Sequence, residues 1–276
     1  MREDSVVRNK NNLSVAIDKT IRKKKYSIGN RRTRTTMIVN LQQDGWEIIY
    51  HRAHALLAAQ IAAEWNQQDL PQRTTDTIAA ISHHDDLEKE WEKDQLTEAG
   101  APKDFTQEEQ TSVEKLTKHI EEALYRGRWV ALLTSMHTCF LNSGSDSSEV
   151  TQFVKEQEKL QQQWRKELGI SKAEADASYQ FMKWCDRLSL ILSQGKIPDN
   201  NRKLEINDGP DGQKYYIAKL EDGSLSVFPW CFKEEQVKVY VETSHLSQMV
   251  YQDNQELTEA LKNAPRQYKE WIFNKK

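Results

Sequence analysis

The sequence contains no run of 18 apolar residues, so no segment of it is predicted to cross a membrane as a helix. Its N-terminus also lacks the apolar stretch of a secretory signal peptide, and we therefore expect a cytoplasmic protein. Only three cysteines occur, and Cys139, Cys185 and Cys231 are widely spaced, with no CxxC pair. This scarcity argues against a disulfide framework and against a thiolate zinc site.

Three motifs that bring phosphate-binding or nucleophilic chemistry are also missing. The sequence has neither the G-x-x-x-x-G-K-[ST] loop nor the G-x-G-x-x-G loop that holds nucleotide phosphates. It has no G-x-S-x-G segment, which places a serine nucleophile on a sharp turn. These absences disfavour nucleotide-binding folds and serine hydrolases.

Positive charge is scarce outside the N-terminal segment. Residues 1–36 hold 11 Lys or Arg against three acidic residues, whereas the rest of the chain holds 28 against 39. An acidic body does not suggest nucleic-acid binding. The basic leader, residues 1–36, is predicted to be disordered, and whether it belongs to the native protein is left open.

Hydrophobic periodicity predicts a body made mainly of helices, with strands at both ends. Residues 37–41 and 46–50 are predicted strands joined by a turn that ends at Gly45. Helical spacing then recurs in six segments, at 54–65, 76–91, 106–125, 129–141, 149–168 and 172–193. After residue 201 the period changes to two, which predicts strands at 215–220, 225–228, 237–241 and 268–273, with a short helix near 255–263.

These patterns predict an α+β protein that is predominantly helical. We expect a helical body over residues 37–195, which begins with the β-hairpin. A small antiparallel sheet over 202–276 is expected to pack on that body. Thr74 or Thr75 is the expected N-cap of the second helix, and Thr106 that of the third.

Buried ionisable residues are the strongest indication of function. His54, the pair His84-Asp85, His137 and Asp186 each lie on a predicted helix among apolar neighbours. Such groups are costly in a core unless they are paired or bound to a metal. Imidazole and carboxylate together are ligands typical of zinc, manganese and iron. Such an ion lowers the pKa of bound water and provides hydroxide near neutral pH.

Each of these residues also has an ordinary structural explanation. His83 and His84 can simply end a helix ahead of the acidic surface run Asp85, Asp86, Glu88 and Glu90. His137 can be a core histidine whose hydrogen bonds are satisfied, and Asp186 can cap a neighbouring helix or pair with an arginine. The ordered set on successive core helices is more specific than any single member.

The order His54, His84-Asp85, Asp186 resembles the H…HD…D signature of the HD superfamily, a helical fold of metal-dependent phosphohydrolases. The resemblance implies that these four residues ligate a divalent ion, whether Mn, Fe, Zn or Mg. It also gives Asp85 a catalytic role and implies an HD-like helical bundle.

Members of that superfamily with two metals carry additional histidines between the HD pair and the last aspartate. By resemblance, His119 and His137 are candidates for a second ion. His51 lies one turn before His54 and is a reserve ligand. Arg52 and Lys183 are suggested, from their position along the chain, to hold phosphate.

A closer resemblance covers residues 37–273 and concerns the bacterial domain-of-unknown-function family 3891. It rests on short segments, namely Met37-Ile-Val, His54-Ala-Leu-Leu, His84-Asp85-Asp86, Leu132 to His137, Trp184 to Ser189 and Phe228-Pro-Trp230. That family often has Gly-Trp directly after H-D-x, whereas this chain has Leu87-Glu88.

We therefore expect a metal-dependent phosphohydrolase that acts on a small phosphorylated molecule. The alternative is a non-catalytic helical binding module that keeps a degenerate HD-like site. An interaction protein acting through the basic leader is a third possibility. The substrate, the metal and the oligomeric state are not determined by the sequence.

Overall fold

A computed structural model describes residues 37–66, 73–87, 95–107 and 111–276. The expectations for residues 1–36 and for the part of the predicted helix 76–91 after Leu87 lie outside these residues. The described residues belong to one compact unit, Thr33–Lys276. Within them, no helix combines the length and the apolar character that a membrane crossing requires.

Two strands open the described chain and six α-helices follow. The other five strands come last, with a seventh α-helix before the final strand. Its α-helices are α1 (His51–Glu64), α2 (Thr74–His83), α3 (Val113–Leu124), α4 (Arg128–Asn142), α5 (Ser148–Leu168), α6 (Lys172–Ser193) and α7 (Asn254–Asn263). Its strands are β1 (Met37–Gln42), β2 (Gly45–Tyr50), β3 (Leu204–Asp208), β4 (Lys214–Lys219), β5 (Leu225–Phe228), β6 (Gln236–Leu246) and β7 (Arg266–Asn274).

The expected fold class is wrong, because the strands form one large sheet instead of a hairpin and a separate small sheet. The seven strands follow the order β1-β2-β6-β7-β5-β4-β3 in a curled, half-barrel arrangement. The sheet is mixed, since β5 pairs with β7 in parallel while the other pairs are antiparallel. The N-terminal hairpin joins the C-terminal strands through the pairing of Trp46 with Leu246 and of Ile48 with Ser244.

The core is not all-helical either. One continuous cluster of buried side chains includes Leu57 of α1, Trp184 of α6, Ile217 of β4 and Val239 of β6. Strand β6 alternates buried and exposed residues along most of its length, so its inner face can pack on the helices. Helices and sheet thus bury their apolar faces against each other. The expected boundaries at residues 36, 195 and 202 stay predictions.

The junction of hairpin and helix determines where the first histidines lie. Gly45 has a φ of +145°, and a Cβ there would come 2.0 Å from the carbonyl oxygen of Leu246. Glycine is therefore required where β2 joins β6. Helix α1 begins at His51, directly after the last residue of β2, and packs against α2 and α6.

Two expected helix starts are wrong. The N-cap of α2 is Arg73, which makes no side-chain capping bond, and α3 begins after Ser112, whose hydroxyl accepts from the Lys115 amide. Thr106 lies instead in a short 3-10 turn. By contrast α6 has the expected bounds, and its N-cap Ser171 forms a full capping box with Glu174.

Candidate metal centre

The sequence pattern predicted that the His84-Asp85 pair lies on a helix. In the structure the pair lies in the turn that follows α2. Helix α2 ends at His83, and residues 84–87 form the turn. The Nδ1 atom of His84 lies 2.5 Å from the Ile81 carbonyl oxygen, which also accepts the backbone N–H of His84 at the helix end. A carbonyl only accepts, so this Nδ1 carries a hydrogen, and Nε2 is the nitrogen that offers a lone pair once the ring is neutral.

Two of the predicted ligands, Asp85 and Asp186, converge on the Nε2 atom of His84, and a further one, His54, contacts Asp85. Oδ1 of Asp186 on α6 lies 3.1 Å from this atom and Oδ2 of Asp85 lies 3.5 Å from it. Nε2 of His54 on α1 lies 2.5 Å from the same Asp85 oxygen. The turn after α2 therefore brings its two side chains to ligands from both neighbouring helices.

His137 on α4 completes this group. One ligand atom each of His84, Asp85 and His137 lie within 4.8 Å of one another, as do those of His54, His84 and Asp186. We call these five residues the inner cluster. His137 also contacts Tyr179 through its Nδ1, 3.5 Å from the phenol oxygen.

The charges of the inner cluster shift its pKa values strongly. Burial alone would lower the pKa of His84, but Asp85 and Asp186 outweigh it and raise that pKa to about 10. Burial would likewise raise the pKa of Asp85, yet His84 and the other imidazoles hold it well below its usual range. The pKa of Asp186 is lowered for the same reason, chiefly by His84. Both carboxylates are therefore ionised at neutral pH.

The inner cluster fits a divalent cation in donor type and in spacing. Ligand atoms about 2.1 Å from an ion lie roughly 3.0 to 3.4 Å from their neighbours in octahedral or tetrahedral geometry. The distances from His84 Nε2 to Asp186 and Asp85, 3.1 Å and 3.5 Å, lie close to this range, whereas His54 Nε2 and Asp85 Oδ2, 2.5 Å apart, are at the separation of a direct hydrogen bond. Buried His and Asp groups of this kind could hold a metal ion.

His119 is not part of this arrangement. Among the described residues, neither group able to hold an ion includes it. Its Nε2 lies 3.2 Å from the carbonyl oxygen of His84, to which it donates, and its ring packs on that of His83 with centroids 4.8 Å apart. His51 lies closer to the cluster, with Nδ1 3.7 Å from Asp85 Oδ2.

A second set of charged side chains, not predicted from the sequence, surrounds Asp86. Nδ1 of His83 lies 2.7 Å from Asp86 Oδ2, and guanidinium nitrogens of Arg52 and Arg126 lie 3.6 Å from the same carboxylate. We call these four residues and His119 the outer cluster. The run His83-His84-Asp85-Asp86 could have indicated it, because its first and last members go to the outer cluster and its two middle members go to the inner cluster.

Lys183 lies on α6, and its ammonium group packs on two aromatic rings. Its ammonium nitrogen lies 5.2 Å from the ring centroid of Phe140 and 5.1 Å from that of Tyr179, the tyrosine that contacts His137. Of the two cations suggested for phosphate, Arg52 therefore lies beside Asp86 of the outer cluster, and Lys183 lies beside the tyrosine that contacts His137.

Comparison with known proteins supports the family resemblance. The sequence profile described as "Protein of unknown function (DUF3891)" matches residues 37–248. This range contains the whole of the inner cluster. Neither curated proteins nor solved structures gave a significant match.

Proposed function

Because the chain belongs to the DUF3891 family, whose function is unknown, we propose a function from its inner cluster, that of a metal-dependent hydrolase acting on phosphoesters. The observation that carries this proposal is the convergence of His54, His84, Asp85 and Asp186 from three separate segments. Their chain order is the H…HD…D order of the HD phosphohydrolases.

The ligands of the proposed centre are His54, His84, Asp85 and Asp186, and His137 is an additional one. A divalent ion bound there would activate water and polarise a phosphoryl oxygen. The two ionised carboxylates carry a charge of about −2, which a divalent ion neutralises. Manganese, iron and zinc suit this mixed imidazole and carboxylate set better than magnesium, which prefers oxygen ligands.

Two kinds of side chain complete the proposed mechanism. Asp85 lies among the rings of His51, His54 and His84, and its carboxylate accepts a hydrogen bond from the attacking water and orients it. Arg52 and Lys183 bind the phosphoryl oxygens, since cationic donors stabilise the charge that develops in phosphoryl transfer. An anionic substrate is thus held beside the inner cluster.

Metal analysis followed by turnover assays tests this function. The protein is purified without chelator, and hydrolysis of 4-nitrophenyl phosphate and bis(4-nitrophenyl) phosphate is measured with Mn²⁺, Fe²⁺ or Zn²⁺. We expect bound transition metal and metal-dependent turnover, reduced about 100-fold or more in Asp85→Asn. His245→Gln is the matched control, because His245 lies on β6 beside Asp44, outside the site, and should keep full activity.

The outcomes separate the two main functions. Protein without metal, whose Tm does not change on addition of Mn²⁺ or Zn²⁺, would contradict any metal centre. Tight metal binding without turnover of either ester would instead support the non-catalytic binding module that keeps an HD-like site.

A further inference from the structure

A fully buried hydroxyl lies between two of the proposed ligands. Ser189 is on α6, one turn after Asp186, and is 0% exposed. Its Oγ lies 2.8 Å from the backbone carbonyl oxygen of Asp186 and 2.9 Å from Nδ1 of His54. The hydroxyl thus joins a ligand on α1 to the backbone of a ligand on α6.

The direction of these hydrogen bonds determines which ring nitrogen of His54 carries its hydrogen. A serine hydroxyl has one hydrogen to donate, and a backbone carbonyl can only accept. The Ser189 hydrogen therefore goes to the Asp186 carbonyl, and Oγ must accept from His54. The Ser189 hydroxyl therefore keeps a hydrogen on Nδ1 of His54, so Nε2, which lies 2.5 Å from Asp85 Oδ2, is the nitrogen that faces the inner cluster and would bind an ion.

We propose that Ser189 is a positioning residue that makes His54 a metal ligand through Nε2. This inference rests on the metal centre of the proposed function. The Ile81 carbonyl has the same effect on His84, but there the acceptor belongs to the backbone. For His54 the acceptor is a side chain, so it can be removed by substitution. An acceptor that bonds the other ring nitrogen fixes the tautomer and orientation of a ligating imidazole.

The test compares two serine substitutions on the same helix. Ser189→Ala removes the hydroxyl that bonds His54. Ser193→Ala, one turn further along α6, removes a hydroxyl that is equally buried but makes no hydrogen bond with the described residues. Zn²⁺ affinity is measured by competition with a chromogenic chelator, and folding of the metal-free variants by circular dichroism.

We expect Ser189→Ala to weaken Zn²⁺ binding about 10- to 100-fold, and Ser193→Ala to leave it within about twofold of the wild type. Equal affinity of Ser189→Ala and wild type would overturn the inference, as would equal losses in both variants. A wild-type protein that binds no metal would overturn the proposed centre itself, and the inference with it.

A spectroscopic measurement distinguishes positioning from a general loss of packing. In ¹⁵N-labelled, Zn²⁺-loaded wild type, long-range ¹H–¹⁵N correlations of the His54 ring should show a hydrogen on Nδ1 and a coordinated Nε2. In Ser189→Ala the Nδ1 hydrogen should exchange faster with water, while the His84 ring is unchanged. Coordination through Nδ1 of His54 in the wild type would contradict the inference.

Discussion

The inner and outer clusters both take residues from the run His83 to Asp86, but they have opposite balances of charge. The inner cluster combines two carboxylates with three imidazoles, and no Lys or Arg is among its members. The outer cluster has a single carboxylate, Asp86, which contacts two guanidinium groups and an imidazole. The inner cluster therefore attracts a cation, whereas the outer one already contains its own cations.

The end of helix α2 explains how neighbours along the chain come to differ. His83 is the last residue of the helix, and its ring contacts Asp86 and His119. His84 lies in the turn, and its ring bonds back to Ile81 and contacts Asp186. A metal site can therefore be built from one histidine of an adjacent pair while the other stabilises its surroundings.

Substitution of each histidine of the pair gives the largest expected contrast. His84→Ala should weaken binding of Zn²⁺ or Mn²⁺ at least about 100-fold, because it removes the ligand on which Asp85 and Asp186 converge. His83→Ala should change affinity less than about threefold. Isothermal titration calorimetry measures both, with circular dichroism as the control for folding. Comparable losses in the two variants would mean that the clusters form a single site.

A smaller contrast, between His84 and His119, is expected in how metal affinity depends on pH. The raised pKa of His84, about 10, means that it is protonated in the metal-free protein at neutral pH and must lose that proton to bind a metal. Metal affinity should therefore rise about tenfold per pH unit between pH 6 and 8. His119→Gln should keep this slope, since burial and the charge of His83 lower the pKa of His119 to about 3. An affinity independent of pH would contradict the assignment of His84.

The same two histidines affect stability in opposite pH windows. For His84, the folded pKa of about 10 exceeds the ordinary 6.5, so its stabilisation is full below 6.5 and is lost as pH rises through 10. For His119, the folded pKa of about 3 is below 6.5, so the unfolded chain binds more protons between these values. His119 therefore makes the metal-free protein less stable as pH falls from 6.5 toward 3. Urea denaturation across the pH ranges of both histidines measures the two contributions.

Local sequence patterns predicted most helices but not the sheet. The bounds of α6 follow from regular apolar spacing and a capping box, both of which are local signals. The pairing of β2 with β6 joins residues about 200 positions apart, and nothing in either strand specifies its partner. Strand β3 was not predicted, because it has only two apolar residues, Leu204 and Ile206, and ends in the turn-forming residues Asn207 and Asp208.

The candidate site, like the fold, was predicted only in part. His54, His84, Asp85, His137 and Asp186 were expected to share a site from their order and apolar surroundings, and their side chains do lie together. Their role as ligands stays a prediction. Ser189 and the outer cluster were missed, because a serine on an apolar helix face and an arginine on a surface are ordinary features. Only the hydrogen bonds and ion pairs of the folded chain distinguish them.

The smallest expected effect is that of Asp86→Asn, which removes the charge at the centre of the outer cluster. The side chains of Arg52 and Arg126 are 42% and 47% exposed, so solvent screens both ion pairs. The amide oxygen of the asparagine can still accept from His83. We therefore expect a loss of about 1 kcal/mol or less in the free energy of unfolding, measured with urea, and Zn²⁺ affinity within about twofold of wild type. Asp186→Asn is the matched substitution in the inner cluster, and it should weaken Zn²⁺ binding far more. If Asp86→Asn weakened binding as much as Asp186→Asn, the outer carboxylate would have to be assigned to the metal centre.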